Sequence, residues 1–366
     1  MPGDDTPHPG PPGHTTTTHA PPASTEAPGP LPTTDAHALA ELLSPALHDA
    51  CDGRLGQIEW FHATWQRGGA CTGFSTFRLR DDAPPVEVMV KMPVGPAELW
   101  WTHGLGACDA SSFIQPTALT RVTPRVLAAG PTLAGHRVPW LVLEKLAGPH
   151  MPKHMDAGEV TELIGATLDF HAATQALAPL APKPPSPNFE ALIERSRETC
   201  KNHVISGEQH WNEMLKKVQR ALPALRGYWE RRPINTWCHG DLHPGNAMRR
   251  VVTAGGADPG ALALKSPLVL IDLALVHPGH WMEDALYLER QYWGNADLLH
   301  GIKPVSLLAR LRRERGLPVD DYAHAANARR ILMAACAPAM IEREGNPKYV
   351  GAAIEIIERL LPQVPH

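Results

Sequence analysis

The stretch Trp237-Cys-His-Gly-Asp-Leu-His-Pro-Gly-Asn246 decides the fold of this chain. It sets Asp241 and Asn246 five positions apart, with Pro and Gly between them to turn the backbone. Further along, Leu268-Val-Leu-Ile-Asp272 has four apolar residues before one acid, which predicts a buried strand with a carboxylate at its exit. Asp, Pro, Gly and Asn also form ordinary polar turns, so the loop alone also fits a plain turn.

An Asp and an Asn at this spacing, followed by a second Asp, suit phosphoryl transfer. A carboxylate must orient the attacking hydroxyl and take its proton, while oxygen ligands hold Mg²⁺ against the phosphates. His239, Asp241 and Asn246 match the kinase pattern H-R-D-x-x-x-x-N, with Gly240 in place of the Arg. The pattern predicts Asp241 as the catalytic base, and Asn246 with Asp272 as the Mg²⁺ ligands.

The segment His239-Gly-Asp-Leu-His-Pro-Gly-Asn246 resembles the catalytic motif of the aminoglycoside phosphotransferase and choline kinase group of small-molecule kinases. The resemblance runs from about Gly53 to the C-terminus. It implies an α+β, bilobal protein-kinase-like fold, with a small antiparallel β-sheet lobe and a mostly helical lobe. It also implies ATP and Mg²⁺ as cofactors and a small-molecule hydroxyl as acceptor. His239 and Asp284 would support the catalytic loop, with Glu283 as the neighbouring alternative to Asp284.

A strand, a glycine-rich turn and a second strand are expected in the first third of the chain. Gln57 to Trp65 and Phe74 to Arg80 alternate between apolar and polar residues, as half-buried strands do. The turn between them, Arg67 to Gly73, has the pattern G-G-x-x-x-G. In a kinase-type fold such a turn covers the ATP phosphates, which makes Gly68 and Gly69 candidate contacts. A plain glycine-containing hairpin is the alternative.

The next predicted strand, Pro85-Val-Glu-Val-Met-Val-Lys91, ends in a lysine. In the kinase pattern a lysine on this strand contacts the ATP phosphates and pairs with a Glu on the following helix. Glu98, just after a helix start at Pro96, is the only acid between Lys91 and Asp109 and is the predicted partner. The alternatives are a solvated lysine at a strand edge and a Glu that complements the helix dipole.

A later apolar strand resembles the family's hinge between the two lobes. It runs from Val138 to Leu146 and ends in Glu144-Lys145-Leu146. The resemblance implies that backbone groups of these three residues bind the adenine edge of ATP. A strand followed by a linker is a compatible, simpler interpretation.

Composition divides the chain into three parts. Residues 1–34 are dominated by Pro, Thr, Gly and Ala and contain no Lys or Arg, which predicts a disordered tail; a docking or glycosylated segment is the alternative. We expect an N-terminal ATP-binding lobe at 35–146, opening with a helix capped by Asp35, and a helical catalytic and acceptor-binding lobe at 147–366. Within the second lobe, Phe189–Ala221 and Leu222–Arg231 predict one or two long helices.

Charge and cysteine usage narrow the class of protein. The net charge of −4 and pI of about 6.6 do not resemble the basic footprint of a nucleic-acid-binding protein, and no apolar run is long enough for a membrane span. Six cysteines without CxxC spacing indicate reduced, mostly buried thiols, so we expect a cytoplasmic protein. His243, His277 and His280 match no zinc-site spacing, and His171 is expected to be a packing residue on its helix.

The sequence leaves the acceptor open among aminoglycosides, amino alcohols and sugar-like compounds. A group of aromatic and acidic residues follows the second aspartate: Glu283, Asp284, Tyr287, Glu289, Tyr292, Trp293 and Asp297. Aromatic faces with carboxylates would suit a cationic acceptor, although a packed amphipathic helix explains the same pattern. Two other functions stay open: a pseudokinase that binds ATP without turnover, and a protein kinase. Against the latter, Asp272-Leu-Ala stands in place of D-F-G.

Overall fold

The computed structural model describes residues 33–61, 69–109, 113, 121–202, 205, 207–250, 267–340 and 347–364. Most of the predicted tail, and Gly68 of the predicted turn, therefore lie outside the described residues. The strands are β1 Glu59–Phe61, β2 Cys71–Phe77, β3 Val86–Met92, β4 Val126–Gly130, β5 Trp140–Glu144, β6 Thr236–Cys238, β7 Ala247–Arg249, β8 Leu268–Leu270 and β9 His277–Gly279. The helices are α1 Ala36–Ala50, α2 Pro96–Gly106, α3 Ala157–Leu177, α4 Phe189–Asn202, α5 Glu208–Glu230, α6 Glu283–Gln291, α7 Pro304–Glu314, α8 Ala323–Ala335 and α9 Pro347–Leu360.

The first five strands form one antiparallel sheet in the order β1-β2-β3-β5-β4. Side chains alternate across β3, so that Val88 and Val90 join the core under α1 while Met89 joins the core that contains Leu99 of α2. α1 begins as predicted, because the side chain of Asp35 accepts a hydrogen bond from the first turn of the helix. The sheet is thus covered by a helix on each face.

The second strand of this sheet begins earlier than the sequence predicted. β2 starts at Cys71, so Gly73 is a strand residue paired with Trp60 of β1 and not part of the turn. A Cβ on residue 73 would lie 2.6 Å from the side chain of Ile58 and 2.9 Å from the ring of Trp60. Glycine here therefore permits a close approach of the two strands and does not mark a turn.

The helices after β5 pack around a second, larger core. α2 reaches this core through Trp101, whose ring centroid lies 4.7 Å from that of Trp237, just before the loop that contains Asp241. The predicted helix boundary at Leu222 is wrong. α4 ends at Asn202, and α5 continues through Pro223, because buried residues recur every three or four positions from Trp211 to Trp229 and hold the helix together across the proline.

The state of the cysteines and the character of the helices can be compared with the predictions made from composition. All six cysteines are free, and five of them are buried, as the sequence indicated. Burial raises the pKa of the Cys336 thiol to about 12, so this group stays protonated. Within the described residues, no helix is both long and apolar enough to cross a bilayer.

A buried ion-pair network joins the sheet to the helical part of the chain. Glu144, at the end of β5, pairs with Arg125 and with Arg250, which follows β7. The Nε of Arg250 donates to Glu144 at 2.9 Å, and its terminal nitrogens donate to the carbonyls of Arg121 and Thr123 at 2.8 Å. The buried guanidinium of Arg250 and the partly buried guanidinium of Arg125 therefore share one buried carboxylate.

Glu144→Gln is expected to lower the free energy of unfolding by about 3 to 5 kcal/mol, because Arg125 and Arg250 would lose their shared counter-charge in a buried place. Denaturant titration measures this change. The matched control is Glu87→Gln, which removes an exposed carboxylate from its pair with Lys145 and should cost less than about 1 kcal/mol. Equal destabilisation by the two variants would contradict the prediction.

Candidate active site

The loop between β6 and β7 brings Asp241 and Asn246 into direct contact. A short 3₁₀ turn at Pro244–Asn246 folds the loop back on itself before β7 begins. The Nδ2 of Asn246 donates to both the backbone oxygen and the Oδ2 of Asp241, each at 3.0 Å. Because the amide nitrogen is used inside the loop, the amide oxygen of Asn246 is the atom left to ligate a cation.

The backbone conformation and the close surroundings of residue 240 explain why the loop has glycine where the kinase pattern has arginine. Its φ is +84°, a left-handed conformation that favours glycine. A Cβ at this position would lie only 2.2 Å from the backbone oxygen of Leu275. The loop can therefore pack against the segment after Asp272 only because residue 240 has no side chain.

Asp284, near the start of α6, holds the loop from beneath. Its two carboxylate oxygens accept hydrogen bonds from the backbone amides of His239 and Gly240, each at 2.9 Å. The Nε2 of His171, on α3, lies 2.8 Å from the same carboxylate. Burial would raise the pKa of Asp284, but the hydrogen bond and charge of His171, with the loop's own contacts, outweigh burial and hold the pKa at about 2.

His239 connects the loop to the strand that carries Asp272. Its Nδ1 accepts from the amide of Asp241 at 3.3 Å, so its Nε2 carries the proton and donates to the backbone oxygen of Ile271 at 3.0 Å. Burial lowers the pKa of His239 despite nearby carboxylates, so the ring remains neutral. A neutral ring with one donor and one acceptor is what both contacts require.

Asp272 has an unusual backbone conformation for a residue other than glycine. Its φ and ψ are 63° and 68°, in the left-handed region, directly after β8. Its side chain is 46% exposed, and its Oδ1 lies 3.5 Å from the Nζ of Lys91. Strained conformations of this kind persist where the surrounding structure enforces them, often at functional sites.

Lys91 and Glu98 are in contact. The Nζ of Lys91, on β3, hydrogen-bonds to the buried carboxylate of Glu98 on α2. Burial alone would lower the pKa of Lys91, but Glu98 and Asp272 outweigh it and raise the pKa, so the ammonium stays charged. A fixed positive charge therefore lies between the sheet and Asp272.

A cavity of about 410 Å³ lies between the sheet and the loop. Seven of the predicted site residues line it: Lys91, Glu98, Glu144, Lys145, Leu146, Asn246 and Asp272. Gly69 has a described position but does not line this cavity, and Gly68 is outside the described residues.

The predicted hinge offers one backbone donor to this cavity. The amide of Glu144 donates to the oxygen of Arg125 at 2.8 Å, and that of Lys145 donates to the oxygen of Glu87 at 3.3 Å. Among the described residues, no hydrogen bond uses the amide of Leu146. Of the three predicted hinge residues, Leu146 is thus the one whose N–H can serve a ligand.

A second cavity, of about 600 Å³, lies on the other side of the loop. Asp241, His243 and Tyr287 line it, and Gly245 lines both cavities. The Nε2 of His243 lies 3.7 Å from the Oδ2 of Asp241. Burial would raise the pKa of Asp241, but the nearby His243 and Tyr287 outweigh it, so the pKa is lowered and the carboxylate is charged.

The acids proposed for a cationic acceptor do not line this second cavity. Glu283 pairs with Arg232 at 2.9 Å, Asp284 lies under the loop, and Glu289 forms two bonds with Arg330 at 2.7 and 2.8 Å. Glu289 follows Tyr287 by two positions, which puts it on the opposite side of the helix. The sequence pattern grouped these residues, but helix geometry separates them.

His243, His277 and His280 each lie beside a carboxylate. The Nε2 of His280 lies 3.0 Å from both oxygens of Asp320, and that of His277 lies 3.7 Å from Glu283. No group of three or more His, Cys, Asp or Glu side chains suited to a metal occurs in the described part of the chain. His171 is buried, as a packing residue would be, but its contact with Asp284 gives it a further part in supporting the loop. In the sequence, only the position of a polar residue on the buried face of a helix indicated this contact of His171.

We expect the stability of the fold to fall in acid through Glu283. Burial would raise the pKa of Glu283, but His277 and Arg232 outweigh it and lower the pKa from 4.5 to about 2. Its contribution is therefore complete above about pH 4.5 and is lost as the pH falls toward 2, a loss of roughly 3 kcal/mol. In Glu283→Gln, the free energy of unfolding should fall less steeply between pH 4.5 and pH 2 than it does in the wild type. The control Glu314→Gln, at an exposed position, should keep the wild-type slope.

Comparison with known proteins identifies the family. Residues 112–298, more than half of the chain, match the family model of the phosphotransferase enzyme family. No curated protein matches the chain. It is similar to the structure of an aminoglycoside phosphotransferase from Alicyclobacillus acidocaldarius, at 15% identity and a TM-score of 0.52, over 88% of this chain and 94% of that one. A protein from Ralstonia eutropha, provisionally described as an aminoglycoside phosphotransferase, matches at 14% identity and a TM-score of 0.51, over 88% and 99%.

The two structural matches confirm the predicted α+β, bilobal kinase-like fold, with its small antiparallel sheet and helical second part. The family match covers the loop from His239 to Asn246, Asp272 and Asp284 together, and so contains the residues from which the family was predicted. This chain therefore belongs to the phosphotransferase enzyme family.

Proposed function

We propose that the protein is an ATP-dependent small-molecule kinase that transfers the γ-phosphate of ATP to a hydroxyl of a small acceptor. The observation that supports this most is the pair of cavities that meet at Gly245. One contains Lys91, Asn246 and Asp272, and the other contains Asp241. Transfer between two bound molecules requires this arrangement, since most of the rate enhancement comes from positioning and charge stabilisation.

The first cavity suits ATP. The N–H of Leu146, which forms no hydrogen bond with a described residue, can donate to the adenine edge, while the ammonium of Lys91, fixed by Glu98, can bind the phosphates. The amide oxygen of Asn246 and the half-exposed carboxylate of Asp272 are the hard oxygen ligands that Mg²⁺ prefers. When bound, Mg²⁺ would neutralise charge on the phosphates during transfer.

In the proposed reaction, the acceptor oxygen forms a bond to the γ-phosphorus while the bond from that phosphorus to the β-phosphate oxygen breaks and ADP leaves. The hydroxyl proton passes to Asp241. Because the pKa of Asp241 is lowered, its main task is to hold and orient the hydroxyl, and it takes the proton as transfer proceeds. Asn246 and His243 fix the carboxylate in position for this.

ADP formation by the purified protein with ATP and Mg²⁺, measured with and without each member of a panel of hydroxyl compounds, tests the proposal. Acceptor-dependent ADP formation, with a phosphate monoester identified by mass, is the expected result. Mg²⁺-dependent ATP binding without ADP formation across the panel would favour the pseudokinase. Transfer to peptides in preference to small molecules would favour a protein kinase. Failure to bind ATP would contradict the proposed kinase and the pseudokinase alike.

We also propose that the enzyme acts in the cytoplasm. Six free thiols, five of them buried, are typical of a protein kept in a reducing compartment.

A further inference from the structure

Two groups with opposite hydrogen-bonding character lie side by side in the second cavity. Asp241 and His243 both line it, and the Nε2 of His243 lies 3.7 Å from the Oδ2 of Asp241. The side chain of Asp241 is 25% exposed and that of His243 is 34% exposed, so a molecule in the cavity can touch both. What such a molecule must offer depends on which of the two groups donates a hydrogen bond and which accepts one.

The backbone fixes the tautomer of His243. Its Nδ1 accepts a hydrogen bond from the amide of Gly245 at 3.0 Å, as the cap of the 3₁₀ turn at Pro244–Asn246. A ring nitrogen that accepts from an N–H carries no proton of its own, so the proton of this imidazole is on Nε2. The 3.7 Å between Nε2 and Asp241 is too long for a hydrogen bond, and no hydrogen bond to another described residue uses Nε2. His243 therefore has an N–H available to a molecule in the cavity.

Asp241, in contrast, can only accept hydrogen bonds. Its pKa is lowered, so the carboxylate is charged and has no proton to donate. A bound acceptor must therefore bring a donor to Asp241, which is its reacting hydroxyl, and a lone pair to the Nε2 of His243. A single oxygen serves both poorly, because the two atoms are only 3.7 Å apart and its two hydrogen bonds would meet at a narrow angle. That oxygen would also share with His243 the electron density that its attack on phosphorus needs.

We propose that the acceptor carries a second oxygen on the carbon next to the one whose hydroxyl is phosphorylated, as a vicinal diol does, and that His243 recognises this oxygen through its Nε2. Two oxygens on adjacent carbons lie close enough together to reach Asp241 and His243 at once. This inference rests on the proposed function and narrows it. An ammonium group on the adjacent carbon, as in a 2-amino alcohol, has no lone pair and would leave the N–H of His243 without a partner.

Four compounds with one ring and different neighbouring groups test the inference: cis-1,2-cyclohexanediol, trans-1,3-cyclohexanediol, cyclohexanol and 2-aminocyclohexanol, the last with its amine protonated. They are compared by kcat/KM for ADP formation, with the phosphate monoester identified by mass. Calorimetric binding in the presence of a non-hydrolysable ATP analogue is measured in parallel and decides the question where turnover is slow. We expect the vicinal diol to exceed cyclohexanol and the 1,3-diol by roughly three- to tenfold, the range for one hydrogen bond, and to exceed the amino alcohol by more.

Two variants of His243 separate recognition of the acceptor from support of the loop. In His243→Asn the side-chain oxygen can still accept from the amide of Gly245 and cap the turn, but no N–H reaches the position of Nε2. In His243→Gln an amide N–H can reach it. The preference for the vicinal diol over cyclohexanol should therefore vanish in His243→Asn and persist in part in His243→Gln, with ATP binding unchanged in both. His103→Asn, at an exposed position on α2 outside this cavity, is the matched control and should keep the preference.

The ratio between acceptors distinguishes recognition from a purely structural role of His243, which would lower turnover with every acceptor alike. Equal use of cyclohexanol or the 1,3-diol, better use of 2-aminocyclohexanol, no binding of the vicinal diol, or an unaltered preference in His243→Asn would overturn the inference. The proposed kinase would survive these results as long as ADP forms with some acceptor, whereas ATP binding with no ADP formation from any acceptor would count against the kinase itself.

Discussion

Asp241→Asn is expected to lower kcat by about 10²- to 10⁴-fold, the range typical for loss of a general base. Asn keeps the size of the side chain and an oxygen that can accept from the Nδ2 of Asn246, so the loop geometry should survive. What is lost is the charge that orients the acceptor hydroxyl and takes its proton. Because Asp241 lines the second cavity and not the first, the KM for ATP should change little.

Steady-state kinetics with ATP and the best acceptor measure this effect, and thermal unfolding shows whether the fold is kept. Asp297→Asn, at an exposed aspartate on the 3₁₀ segment Ala296–Leu299, is the matched control and should leave kcat unchanged. Wild-type turnover in Asp241→Asn would show that another group acts as the base. A loss of ATP affinity as large as the loss of kcat would show that Asp241 belongs to the nucleotide site.

The parts of the site that the sequence predicted are those set by local backbone geometry. Asp241 and Asn246 are joined within one turn, so their spacing alone determines their contact. The apolar run before Asp272 becomes β8, and Lys91 meets Glu98 across only seven positions. In each case a short piece of chain limits where the side chains can lie.

The parts that the sequence could not supply depend on distant segments. His171 reaches Asp284 across 113 positions, and Glu144 is bound by Arg250 across 106. No periodicity in either segment indicates its partner. The sequence also does not show which face of a helix borders a cavity. Arg290 and Glu289 are neighbours in sequence but lie on different faces of α6. A pattern of aromatic and acidic residues therefore suggested a cationic acceptor, whereas the folded helix presents a base to the cavity.

Asp272→Asn is expected to lower kcat by about 10³-fold and to weaken the dependence of turnover on Mg²⁺, because several kcal/mol of charge stabilisation would be lost with the carboxylate. The fold should be kept. The left-handed conformation at this position, φ 63°, is one that Asn and Gly adopt more readily than other residues. Asp272→Gly should therefore lose turnover as well, with thermal stability equal to or above that of the wild type, whereas Asp272→Ala should add a strain of about 1 kcal/mol.

Separating the metal role of Asp272 from its contact with Lys91 requires a second variant. Lys91→Met removes the ammonium that lies 3.5 Å from Asp272 but leaves both proposed Mg²⁺ ligands in place. It should raise the KM for ATP while the Mg²⁺ concentration for half-maximal turnover stays near that of the wild type. Asp272→Asn should show the reverse, with a raised Mg²⁺ requirement. If Asp272→Asn kept wild-type turnover and Mg²⁺ dependence, the metal assignment would be wrong, and the strained backbone at Asp272 would serve only to place a counter-charge beside Lys91.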